Sequence, residues 1–69
     1  MSDFDKLRTA PRVRRVTHRI ATVQGYPSSR YEVTLHDGWR FPDGGNVREF
    51  RYTADALAAV RAATPVIPS

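Results

Sequence analysis

The stretch Arg30–His36, followed by Asp37-Gly38, constrains the fold more than any other part of the chain. Tyr31, Val33 and Leu35 alternate with Arg30, Glu32, Thr34 and His36, which is the period-two pattern of a strand with one buried and one solvated face. Asp-Gly is a strong signal for a two-residue hairpin, because both residues tolerate positive φ. A half-buried strand needs partner strands and a cover for its apolar face, and the flanking sequence supplies candidates for both. Residues 12–24 are rich in β-branched residues and read as a first strand, with Val16 and Ile20 on one face and Arg15, Thr17 and Arg19 on the other. Ala21 and Val23 break that alternation and suggest a bulge, a twist or two-sided burial near its end. Gly25-Tyr26-Pro27-Ser28-Ser29 reads as a loop.

After the Asp-Gly turn, Trp39 and Phe41 alternate with Arg40 in a short third strand, and Pro42-Asp43-Gly44-Gly45 forces another turn. Asn46–Tyr52 reads as a further strand, with Phe50 and Tyr52 inward and Val47, Glu49 and Arg51 outward. An alternative pairs residues 30–35 directly with 47–52 and makes 37–45 a long hairpin tip. Thr53 is a candidate N-cap and Asp55 places negative charge in the first turn of a helix running from Ala54 to Ala63, stopped by Pro65 and Pro68. Leu57 and Val60 form its apolar stripe. Such a helix is only about 15 Å long and must pack on the sheet. The expected fold is a single α+β domain over residues 12–63, with an antiparallel sheet of three to four strands and one C-terminal helix packed on one face. Residues 1–11 read as a flexible arm or frayed turn, and 64–69 as an extended tail.

Composition limits what such a domain can do. Of 69 residues, 20 are apolar side chains larger than alanine, enough for one thin core. A homodimer would bury more apolar surface. Cysteine is absent, which excludes a disulfide scaffold, a Cys-based zinc site and a thiol nucleophile. No apolar run approaches the roughly 20 residues of a membrane span. The opening Met1-Ser2-Asp3-Phe4-Asp5 lacks the apolar core of a secretory signal, so the expected location is cytoplasmic. No Gly-x-Ser-x-Gly, phosphate loop or His-Glu-x-x-His motif occurs. His18, His36 and Asp37 lack a further ligand at metal spacing. The chain therefore reads as a non-enzyme with no metal and no cofactor.

Charge is the remaining lead. The net charge is +4, carried by ten arginines and one lysine against seven acids. The whole excess lies in the first 29 residues, with no acid from Lys6 through Arg30. Arg8, Arg12, Arg14, Arg15 and Arg19 form a basic run suited to phosphate neutralisation, with Arg8 and Arg12 acting from a flexible arm. At the hairpin, Trp39, Arg40 and Phe41 form a candidate partner-binding cluster, since Trp and Arg are enriched at binding hot spots. In so small a domain the same two aromatics read first as main core blocks.

The segment Tyr31–Ala63, about half the chain, resembles the arm-type DNA-binding domains at the N-termini of tyrosine integrases. Phe50, Asp55 and Ala56 keep the spacing of an aromatic strand end followed by a helix start, while Thr53 stands one place late. The lysines usual around the family's turn are absent. The resemblance implies a sheet of three strands before a helix, with the outer sheet face entering a major groove. It nominates Arg30, Arg40, Arg48 and Arg51 as contacts, although the alternation turns Arg48 inward. The leading expectation is a small binding module that contacts nucleic acid. The alternative is a protein-interaction module using Trp39, Phe41 and a free sheet edge.

Overall fold

The computed structural model describes residues 2–67. Helix α1 (Asp3–Arg8) is followed by strands β1 (Val13–Val23), β2 (Tyr26–Leu35), β3 (Trp39–Arg40) and β4 (Val47–Phe50), helix α2 (Thr53–Arg61) and strand β5 (Thr64–Pro65). β1, β2 and β4 form an antiparallel sheet in that order, and β3 pairs with β5 in a second small sheet. The fold is α+β, as the sequence led us to expect.

β2 pairs directly with β4, from Tyr31 opposite Phe50 to Thr34 opposite Val47, so the long-tip alternative is the arrangement adopted. The Asp37-Gly38 turn explains why. Trp39 N–H bonds His36 C=O at 3.2 Å, and of the two central residues only Gly38 (φ +95°) has positive φ. A turn with positive φ only at its second central residue has the hand of type II, which splays its flanking strands instead of pairing them. The chain therefore leaves the sheet at residue 36. β3 instead finds β5 in the segment expected to be an extended tail, with Trp39 opposite Pro65 and Arg40 opposite Thr64; Pro68 and Ser69 of that tail lie outside the described residues.

The two-residue hairpin occurs earlier. Gln24 (φ +52°) and Gly25 (φ +83°) both take positive φ between Val23 and Tyr26. That turn matches the twist of the strands it joins, so residues 26–29 continue as strand and not as loop. Of the bulge, twist or two-sided burial that Ala21 and Val23 suggested, no bulge occurs there; the irregularity lies at the start of β1. The register slips between Val13 and Arg15, letting Val13 and Val16 both face the core side while Arg14 and Arg15 both remain in solvent.

The core consists of Leu7, Val13, Val33, Leu35, Phe41, Phe50, Ala56, Leu57, Val60 and Ala63. Leu7, Val33 and Leu35 are completely buried, and Phe41 meets Phe50 edge-on at 5.8 Å. Tyr52, expected inward beside Phe50, is exposed. α2 presents Ala56, Leu57 and Val60 to the core. Its N-cap is Tyr52, without a side-chain hydrogen bond, and Thr53 is the first helical residue instead of the cap.

Residues 3–8 are not a flexible arm. Ser2 caps α1 by accepting the Asp5 N–H, Asp3 and Asp5 occupy the first turn, and Lys6 and Arg8 the last. A helix of six residues has little stability alone, and burial of Leu7 against the core supplies what it lacks. Among the described residues no helix is long and apolar enough to cross a membrane.

Candidate functional site

The arginines nominated for nucleic-acid contact do not form one surface. Arg8 pairs with Asp5 on α1 at 3.3 Å. Arg12 is a structural residue: its Nη1 donates to the carbonyls of Val60, Arg61 and Ala63 at 3.2–3.3 Å, and its guanidinium lies 4.3 Å above the Trp39 ring centroid. The last carbonyls of a helix have no intrahelical donor; Arg12 supplies one to Arg61 from across the chain, adds a second to Val60, which also accepts the Ala63 N–H at 3.1 Å, and reaches Ala63 just beyond the helix. This occupation replaces the free, phosphate-seeking role expected for it.

On the outer sheet face, two glutamates offset two of the arginines. Arg19 lies 3.7 Å from Glu32, and Arg30 lies 3.8 Å from Glu49. Arg30 also donates to Ser28 Oγ and Ser29 C=O, and its side chain is only 16% exposed, so it is held within the sheet surface. Arg48 turns to the core side beside Val33, as the alternation indicated, pairs with Asp43 at 3.5 Å and covers the Phe50 ring. Among the described residues, Arg14, Arg15, Arg40 and Arg51 make no ion pair, and all four are exposed. Arg14 and Arg15 stand together on the bulge.

The proposed hot spot at the hairpin divides. Phe41 is 1% exposed and is core, which removes it from any partner surface. Trp39 is half-buried beneath Arg12, and Arg40 alone of the three projects freely. His18 stacks on Tyr31 at 4.6 Å and shares a hydrogen bond with Ser29 Oγ, while Phe4 of α1 leans on Tyr31 at 5.9 Å. His36 sits apart at the end of β2, its N–H bonded to Arg12 C=O. Among the described residues no group of three or more His, Asp or Glu is placed to hold a metal ion.

The feature that sequence reasoning missed is the ribbon formed by β1 and β2 beyond Tyr31. Its rungs run from Arg19 opposite Arg30 to Val23 opposite Tyr26, with no third strand alongside, and the molecule measures 47 × 27 × 16 Å. Ile20 (69% exposed), Val23 and Tyr26 (74%) project from it into solvent. Residues 20–29 carry no charge.

Hydrogen-bond parity makes its two edges unequal. Residues flanking a two-residue turn exchange both backbone bonds, and the pairs then alternate. Val23–Tyr26, Ala21–Ser28 and Arg19–Arg30 are therefore bonded pairs, whereas Thr22–Pro27, Ile20–Ser29 and His18–Tyr31 direct their backbone groups outward. The Leu35 N–H to Asn46 C=O bond on the β4 side and the His36 N–H to Arg12 C=O bond on the β1 side obey the same parity. On β2 the outward position nearest the tip is Pro27, which has no N–H and blocks that edge. On β1 the outward residues Val16, His18, Ile20 and Thr22 all keep theirs. β1 is an edge strand of eleven residues without proline. No protein-family model, curated protein or solved structure matches the chain.

Proposed function

We propose that the chain is a non-enzymatic protein-interaction module that takes up an extended segment of a partner as an added strand along β1. The observation that carries this reading is the asymmetry of the ribbon: one edge is stopped by Pro27, and the other offers consecutive outward N–H and C=O groups from Val16 to Thr22. Main-chain bonds supply affinity in such strand addition, and alternate side chains supply specificity. Ile20 on one face and Val23 on the other give an added strand apolar contacts, each worth on the order of 1–2 kcal/mol when buried. Arg15 and Arg19, four rungs apart on the outer face, favour partner carboxylates four residues apart, more strongly at Arg15 because Glu32 already lies beside Arg19.

The test is a selection of displayed random 12-residue peptides against the full chain, followed by amide shifts on binding. Selected peptides should perturb Val16, His18, Ile20 and Thr22, and Thr22→Pro should abolish binding while leaving the hairpin intact, because the Thr22 N–H points away from β2. Binding that survives Thr22→Pro sinks the proposal. A second reading, nucleic-acid contact, is favoured by the unpaired Arg14 and Arg15 on the bulge. It requires a mobility shift with mixed-sequence DNA or RNA at low salt that weakens when both become alanine.

A further inference from the structure

A groove of about 540 Å³ lies between α1 and α2, on the opposite side of the sheet from the outer face. Its volume is within the usual range for small-molecule sites. Ala10, Leu57 and Val60 give it an apolar floor, and three cations line it: Lys6 from α1, Arg12 from the following segment and Arg61 from the last turn of α2. Among the described residues no carboxylate lines it. The acids of α1 do not pair with these cations: Asp5 is engaged by Arg8, and among the described residues Asp3 lies within ion-pair distance of neither Lys6 nor Arg61. Lys6 and Arg61 likewise take part in no ion pair among the described residues.

Three like charges around one apolar hollow repel each other and favour an anion between them. The carbonyl end of α2 also faces this region and would oppose an anion, but Arg12 covers two of its carbonyls, and that of Ala63 just beyond it, through a single nitrogen, Nη1. The balance of charge at the groove is therefore positive. We infer that it binds a small amphipathic carboxylate, with the head held by Lys6 and Arg61 and the apolar body lying on Ala10, Leu57 and Val60. Arginine suits that head because its planar fork matches a carboxylate. This site is independent of strand addition along β1.

Trp39 provides the readout, since it is the sole tryptophan and Arg12 bridges it to the groove. The full chain is titrated with octanoate, acetate and octyl glucoside while Trp39 fluorescence and backbone amide shifts are followed. Octanoate should change the fluorescence and shift amides in residues 6–12 and 57–61, whereas acetate and the glucoside at equal concentration leave both unchanged. Lys6→Gln and Arg61→Gln, both at exposed positions, should each raise the octanoate midpoint about two- to fivefold with the fold intact. Equal responses to octanoate and the glucoside would show an apolar hollow without anion selectivity and overturn the inference. So would an acetate response equal to that of octanoate, shifts confined to the ribbon, or midpoints unmoved by both substitutions.

Discussion

The ribbon and the body of this molecule are built from the same pair of strands, yet they use apolar residues in opposite ways. In the body, β1 and β2 lie beside β4 and beneath two helices, and Val13, Val33 and Leu35 are buried. In the ribbon, the same strands run on without a third strand, and Ile20, Val23 and Tyr26 stand in water. A two-stranded hairpin is marginal in isolation, so the ribbon depends on the body for its alignment. Apolar side chains that contribute little to the free protein's stability can contribute fully once a partner covers them. Stability and binding should therefore separate along β1.

The largest effect that tests this division belongs to Leu7. Leu7→Ala removes a fully buried side chain and should cost about 2–5 kcal/mol in chemical denaturation. In a domain this small that approaches the total stability. A negligible loss would mean that α1 is a detachable arm. Arg12→Ala should follow, at about 1–3 kcal/mol, because it removes a donor from each of three carbonyls, of which Val60 keeps the Ala63 N–H, and uncovers Trp39. Tryptophan emission should shift to the red, and Arg12→Lys should restore little, since an ammonium lacks the fork and its stacking.

Gly25→Ala should cost about 1–2 kcal/mol through backbone strain alone, because φ is +83° and the added Cβ meets nothing within 4 Å. Its effect should be confined to faster amide exchange in the ribbon, with the body unchanged. The smallest effect is expected at Ile20. Ile20→Thr should leave stability within about 0.5 kcal/mol while weakening any peptide selected for β1. Should it destabilise the chain as much as Leu7→Ala does, the distinction between ribbon and body fails.

The parts of the fold legible in the sequence are those where one face is buried and the other is wet. Residues 30–35 alternate because helices cover one side of β2, and Leu57 and Val60 mark α2 for the same reason. The ribbon was less legible because alternation requires a covered face. Ala21 and Val23 ignore it since both faces of the ribbon are open, and their irregularity suggested a bulge that lies instead at Arg14. Val13 and Val16, apolar at an odd spacing with two arginines between them, carried the actual signal. Pro27 concealed β2, because proline ordinarily argues against a strand, yet it fits an outward edge position. α1 was foreshadowed by the Ser2–Asp5 spacing and by acids preceding bases, but its docking depends on Leu7 finding a distant core. Arg12 could not be identified from sequence at all, since its carbonyl partners lie about fifty residues along the chain.

Amide hydrogen exchange along β1 in the free chain tests the open edge most directly. With β2 bonded on one side and water on the other, Thr17, Arg19, Ala21 and Val23 should be protected, whereas Val16, His18, Ile20 and Thr22 should exchange rapidly. A peptide added as a strand should then slow the second set and leave the first set little changed. Uniform protection of β1 in the free chain would mean that its edge is already covered, and uniformly fast exchange would mean that the ribbon is not formed. Either result would contradict the account.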